Sequence, residues 1–272
     1  MRAPTKALVA VILVVGAAIQ LIPFYLAITT AFKAGSDLSS VWFFPFAEAT
    51  WSNFAEAITS GGILRATLNS AIVTVVSTAL VCILAALASY PLARRRTTTN
   101  RAVEFVILAV MMVPPLAILV PLYSLLNGMG LLNTYLGLIL PLTCLELPRA
   151  IFLYTQFLRS VPLSLEEAAR MDGASRVQTL WMIVFPLLKP VTATVIILTA
   201  VYVWNEFALS SYIMYSTDMR TIAPSIAAFF GANGSNVNAA VAASLIGVIP
   251  MLIAYLFLQR YFMKGMLAGA EK

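Results

Sequence analysis

Histidine is absent from all 272 residues. With it goes the commonest general base and metal ligand. The two cysteines, Cys82 and Cys144, lie inside apolar segments, so they offer neither a disulfide framework nor a metal site and read as packing residues. None of the thirteen glycines is followed by lysine, so the phosphate cradle Gly-x-x-x-x-Gly-Lys-Ser/Thr is missing and any ATP must be hydrolysed by another chain. A nucleophile elbow is lacking too, which removes the commonest grounds for reading a membrane enzyme. Charge is scarce, at 10% of residues, against about 25% in soluble domains. The net charge of +6 does not point to nucleic acid, because the basic residues are scattered and make no face interleaved with stacking aromatics.

What is present is apolar: 61% hydrophobic residues and a mean hydropathy of +0.93 place the chain in a bilayer, among membrane lipids. The sequence predicts an all-α, polytopic membrane protein forming one transmembrane domain over residues 1–272, with spans near 7–32, 66–93, 105–126, 135–158, 191–212 and 239–262. Arg2 and Lys6 before the first apolar run resemble a signal peptide, but the run continues to Phe32 without a convincing small-residue cleavage site and is read as an uncleaved span. Pro114, Pro115 and Pro121 predict a bent third span. Six spans put 13 Lys and Arg on one side and 3 (Lys33, Arg65, Arg220) on the other, leaving Arg149 within a span. Both termini and residues 159–190 are therefore expected to be cytoplasmic, in the inner membrane of a prokaryote.

Residues 159–190 are the longest charged, helix-patterned stretch enclosed by apolar sequence. Ser164 and Glu167 have capping-box spacing, which predicts a helix from about Leu165 to Asp172, closed by Gly173. Ser175 and Gln178 repeat the box and predict a second helix ended by Pro186 and Pro190. A helix of about eight residues is roughly 12 Å long and needs a surface to dock on. Small Ala168 and Ala169 permit close approach, and Glu166, Glu167, Arg170 and Asp172 supply charge. The plain reading is an amphipathic connector on the membrane surface.

Glu167-Ala168-Ala169, Gly173, Ile183 and Phe185-Pro186 resemble the EAA loop of ABC importer permeases, and Asp172-Gly173-Ala174 is similar to its form in carbohydrate importers. The ending Phe185-Pro186-Leu187 departs from the usual Leu-Pro-Leu. Further blocks look like the second permease of maltose-type importers: Asn69-Ser70, Ala88-Ser89-Tyr90-Pro91-Leu92-Ala93-Arg94, Pro121-Leu122-Tyr123, Gly130 to Tyr135 and Trp204-Asn205-Glu206-Phe207. The resemblance implies a type I ABC importer permease, without catalysis of its own, whose loop residues Glu166 to Arg170 and Asp172 to Ala174 couple to an ATPase. It implies as partners a second permease, two ATPase subunits that bind ATP and Mg, and an extracytoplasmic solute-binding protein. In the family, the loop of this subunit equivalent to residues 231–238 reaches toward that binding protein's cleft.

Ionisable residues at membrane depth are costly and tend to face a cavity or a partner. Glu146 and Arg149, three apart in the fourth span, can pair; an ion pair steadying a proline-bent helix and a sugar contact are both open readings. Thr199, Tyr202 and Glu206 are expected on one helical stripe with Asn205 adjacent, giving the hydroxyl, amide, carboxylate and aromatic groups that suit a polyol. A contact with the partner permease is the alternative. The function classes weighed are a permease for a sugar or glycoside, an ion-gradient-driven transporter using Glu146 or Glu206 as coupling carboxylate, and a scaffold subunit without a solute path.

Overall fold

The computed structural model describes residues 3–37, 39–231 and 236–270, and its regular structure is entirely helical. The elements are α1 (Ala3–Phe32), α2 (Ser52–Thr59), α3 (Ile63–Arg94), α4 (Thr98–Met111), α5 (Leu119–Gly128), α6 (Tyr135–Ser160), α7 (Ser164–Met171), α8 (Arg176–Gln178), α9 (Phe185–Leu187), α10 (Lys189–Trp204), α11 (Ala208–Ile213), α12 (Ile222–Ala227) and α13 (Val237–Ala270). Two helix starts follow directly from the sequence. Thr97 and Thr134 adopt extended geometry, and each side chain accepts an orphan amide of the first turn, from Asn100 and Gly137, both at 3.1 Å.

Helices within α1, α3, α6 and α13 are each long and apolar enough to cross a membrane alone. The other two expected spans are broken. In the third, α4 stops at Met111, Pro114 is extended, and a 3₁₀ turn at Pro115–Ile118 leads into α5, so that the halves meet at 89°. Steric conflict between a proline ring and the preceding residue's helical geometry explains the break between adjacent prolines. The fifth is preceded, within the stretch expected as loop, by a π turn at Thr179–Val184 that runs into α9, and Thr179–Leu187 meets α10 at 67°. The helical run from Arg176 ends at Leu187, between Pro186 and Pro190, as expected. Pro190 lies in the first turn of α10, where a missing N–H costs nothing. The expected continuation of that span to residue 212 fails: α10 ends at Trp204 and α11 begins after a three-residue gap. The predicted polar turn at 231–238 falls partly on residues 232–235, outside the described residues.

Internal contacts divide the chain into two units. In Met1–Arg65 with Pro224–Ile249, Asn53 ties the end of α1 to α2, its amide donating to the carbonyls of Ala31 (2.8 Å) and Lys33 (2.7 Å). Asn238 donates to the same Lys33 carbonyl at 2.9 Å, while Phe32, Trp51 and Phe54 pack their rings together. Gly61 lies against Phe229, whose ring would stand 2.3 Å from an added Cβ.

The second unit, Ala66–Ala223 with Pro250–Lys272, carries both core clusters. One is rich in alanine and packs side chains of α3 (Ala85, Ala86) against α6 (Ala150), and it continues through Tyr154, Leu158, Val184 and Leu188 toward the α7 end. The other packs Val73, Leu126, Leu138, Leu142, Val203 and Ile213. Asn69 closes that end: its amide donates to the carbonyls of Asp218 (2.8 Å) and Arg220 (2.9 Å), and its oxygen accepts from the Tyr135 hydroxyl at 2.7 Å.

Candidate functional site

Two places gather the predicted functional residues, both within the second unit. At the first, α7 begins one residue earlier than expected. Leu163 takes helical geometry and acts as the cap residue, its carbonyl accepting the amides of Glu166 and Glu167, and Ser164 is already the first helical residue. The expected Ser164 and Glu167 capping box therefore does not form, because a capping side chain needs its own residue outside the helix. Glu167 is left exposed instead of folding back.

The far end follows the sequence closely. Gly173 has φ +85°, the Ala174 amide bonds the Ala169 carbonyl, and the Gly173 amide bonds that of Arg170, each at 3.0 Å. That is a Schellman stop. The second capping box forms as predicted: the Ser175 amide donates to Gln178 Oε1 at 2.8 Å, and the Gln178 amide to Ser175 Oγ at 3.2 Å. Phe185, the departure from leucine, stacks on Trp181 with centroids 4.6 Å apart.

The faces of α7 separate its residues. Ala168, Arg170, Asp172 and Gly173 are exposed with Glu167, and Met171 is 88% exposed, while Ala174 is half-buried. Ala169 and Glu166 are buried, Glu166 to 1%. Glu166 Oε2 accepts from the Tyr90 hydroxyl at 2.7 Å, and Oε1 from Arg94 Nε at 2.6 Å. Expected as part of the ATPase-facing set, Glu166 points into its own chain. Tyr90 and Arg94 were legible only as part of a family-like block and a basic run; the signal that could have marked them is their i,i+4 spacing on one face at the end of α3.

The second place lies in α6 and α10. Glu146 is 4% exposed and forms an ion pair with Arg149, as the spacing predicts. Arg149 lies over the Tyr202 ring, 5.9 Å from its centroid, and Thr199 is within hydrogen-bonding reach of the Glu146 carboxylate. Thus Glu146, Arg149, Thr199 and Tyr202 come together. The Glu206 carboxylate lies close enough to Tyr202 to act on it electrostatically, but the helix does not extend to Glu206, since α10 has already ended. Asn205 is the exposed residue at its C-terminus, its side-chain amide turned back to the Val201 carbonyl at 2.8 Å. The Glu206 carboxylate accepts the amides of Leu209 (2.7 Å) and Ser210 (2.8 Å), which makes it the starter of α11.

A separate apolar cavity of about 420 Å³ is lined by residues including Thr74, Thr78, Cys82, Ala200, Trp204 and Pro250. It contains none of the polar cluster. No group of three or more metal-ligating side chains exists among the described residues.

Residues 82–267 match the family model described as the binding-protein-dependent transport system inner membrane component. The chain is 38% identical over 272 residues to the melibiose/raffinose/stachyose import permease protein MelC of Bacillus subtilis, covering 100% of this chain and 98% of that one. It is 32% identical over 267 residues to the multiple sugar-binding transport system permease protein MsmG of Streptococcus mutans, covering 96% and 95%. In fold it is similar to a chain of a bacterial ABC transporter involved in the import of the acidic polysaccharide alginate, with a TM-score of 0.82 at 23% identity, over 95% of this chain and 96% of that one.

Proposed function

The chain belongs to the family of binding-protein-dependent transport system inner membrane components, and from that premise we infer that it is the permease subunit of an ATP-driven importer of neutral sugars. Family membership weighs against the ion-gradient alternative. The observation that carries the coupling role is the two-faced α7: Glu166 and Ala169 hold it to the chain, Arg170 reaches back toward Tyr90, and Glu167, Ala168 and Met171 stand outward for another protein. The partners are a second permease, two ATPase subunits holding ATP and Mg, and an extracytoplasmic binding protein that delivers the solute. Counting each bent pair as one span gives six crossings and both termini on one side, and the excess of lysine and arginine there supports that side, with α7, being the cytoplasm.

In this reading, closure of the ATPase subunits displaces α7, and the flanking helices rock to open a path to the outside. The ion pair between Glu146 and Arg149 cancels net charge at the polar cluster. What remains for a solute is the half-exposed guanidinium edge, the Tyr202 face and hydroxyls, which suits an uncharged sugar. The sugars named for the Bacillus subtilis relative, 38% identical to this chain, support the substrate class.

The test is purification of the assembled complex, vanadate-sensitive ATP hydrolysis, and uptake of radiolabelled melibiose and raffinose in vesicles with the binding protein. Recovery of an ATPase with the wild type and its loss with Glu167→Lys is the expected result. A Glu167→Lys chain that retains the ATPase and takes up sugar like wild type would remove the coupling role from this face.

A further inference from the structure

The buried carboxylate of Glu166 has no place in a docking surface, and its surroundings suggest a different task. Glu166 and Glu167 are adjacent in sequence and opposite in setting: one is exposed, the other is 1% exposed with both oxygens bonded. Arg94, which holds one of those oxygens, also donates through Nη1 to the carbonyls of Leu158 (2.8 Å) and Val161 (3.2 Å). These carbonyls belong to the end of α6, where the last turn leaves acceptors unpaired and a cation is favoured. One guanidinium therefore joins the ends of α3 and α6 to α7. Leu92 and Leu158 pack in the same alanine-rich cluster, so the joint sits on a close-packed base. On its other side, α7 leaves through Gly173, whose left-handed conformation makes the sharp turn toward α8.

We propose that Tyr90, Arg94 and Glu166 are positioning residues that make α3, α6 and α7 move as one body, so that displacement of the docking helix reaches the membrane helices through this buried joint. The proposal rests on the reading of α7 as the ATPase-docking helix. It separates two roles within one short helix: Glu167 faces the partner, and Glu166 passes the motion inward. A loop that transmitted motion through its backbone alone would not need a buried carboxylate bonded to two residues more than seventy positions away in the chain.

The experiment uses the full complex in vesicles, with the wild-type chain, Glu166→Gln and Tyr90→Phe. Three quantities are read: the ATPase retained per permease, ATP hydrolysed, and radiolabelled melibiose taken up per ATP. For Glu166→Gln, the ATPase is retained and hydrolysis continues, while uptake per ATP falls about tenfold, a usual size for coupling between sites. Tyr90→Phe removes one hydroxyl and keeps the fold; its uptake per ATP falls by a smaller factor with full assembly. A ratio equal to wild type in Tyr90→Phe, with Glu166→Gln either unchanged in ratio or simply unassembled, would reduce the joint to a structural staple and overturn the proposal. Glu167→Lys separates the two failures. If it sheds the ATPase while Tyr90→Phe and Glu166→Gln keep the wild-type ratio, the docking reading stands and only the joint is lost.

Discussion

Arg149 is the residue whose removal separates a structural ion pair from a solute contact. Glu146 is buried beside it, and deleting one member of such a pair strands the other. Arg149→Ala is expected to destabilise by about 3–5 kcal/mol, whereas replacing both with neutral residues of similar size in Glu146→Gln with Arg149→Met restores most of that stability. Thermal unfolding of the purified complex reads the first effect, and melibiose uptake by the restored double variant reads the second. Stable protein without uptake assigns the cluster to the solute path; stable protein with wild-type uptake makes it a helix-steadying pair. This pair was legible in the sequence because both members lie three apart on one helix, where spacing alone fixes proximity. The bond between Arg94 and Glu166 was not, because the two are 72 positions apart and meet only when the end of α3 packs against α7.

Breaks between elements were where expectation and structure parted, and Glu206 shows why. Hydropathy runs through residues 191–212 without a dip long enough to end a helix, but a carboxylate can take two backbone amides and start a new one. Glu206→Ala is expected to cost about 1–2 kcal/mol, the usual loss for a helix start, with Glu206→Gln in between. Uptake that follows this stability order makes Glu206 a cap; uptake abolished in a stable Glu206→Gln protein gives it a solute role as well. Gly173 was readable because a left-handed stop has few acceptable residues. Gly173→Val is expected to disturb the turn after α7 while leaving the spans inserted, seen as loss of ATPase from the purified complex at normal membrane abundance. In the sequence Phe185 is only a departure from leucine, and the structure gives it a partner: Phe185→Leu loses the stack on Trp181, about 0.5–1.5 kcal/mol, measurable as a lowered Tm.

At the scale of the whole molecule, the distribution of lysine and arginine and the placement of α7 make one joint demand on topology. If the count of basic residues orients the chain, α7 and the interval between α1 and α3 face opposite sides of the membrane. Two exposed positions report this. Asp172 lies at the end of α7, and Glu48 lies in the interval before α2. In a background of Cys82→Ala and Cys144→Ala, an impermeant maleimide is expected to label Glu48→Cys from outside intact cells and Asp172→Cys only in inverted vesicles. Labelling at position 172 should also drop when the ATPase is present, since the exposed face of α7 is then covered. Labelling of both from the same side would mean that α4 and α5, which meet at 89° across Pro114 and Pro115, fold back without crossing. An odd number of crossings between the two positions is what the docking role of α7 requires. The same reagent thus tests whether those two halves make one span and whether a cytoplasmic ATPase could reach the helix at all.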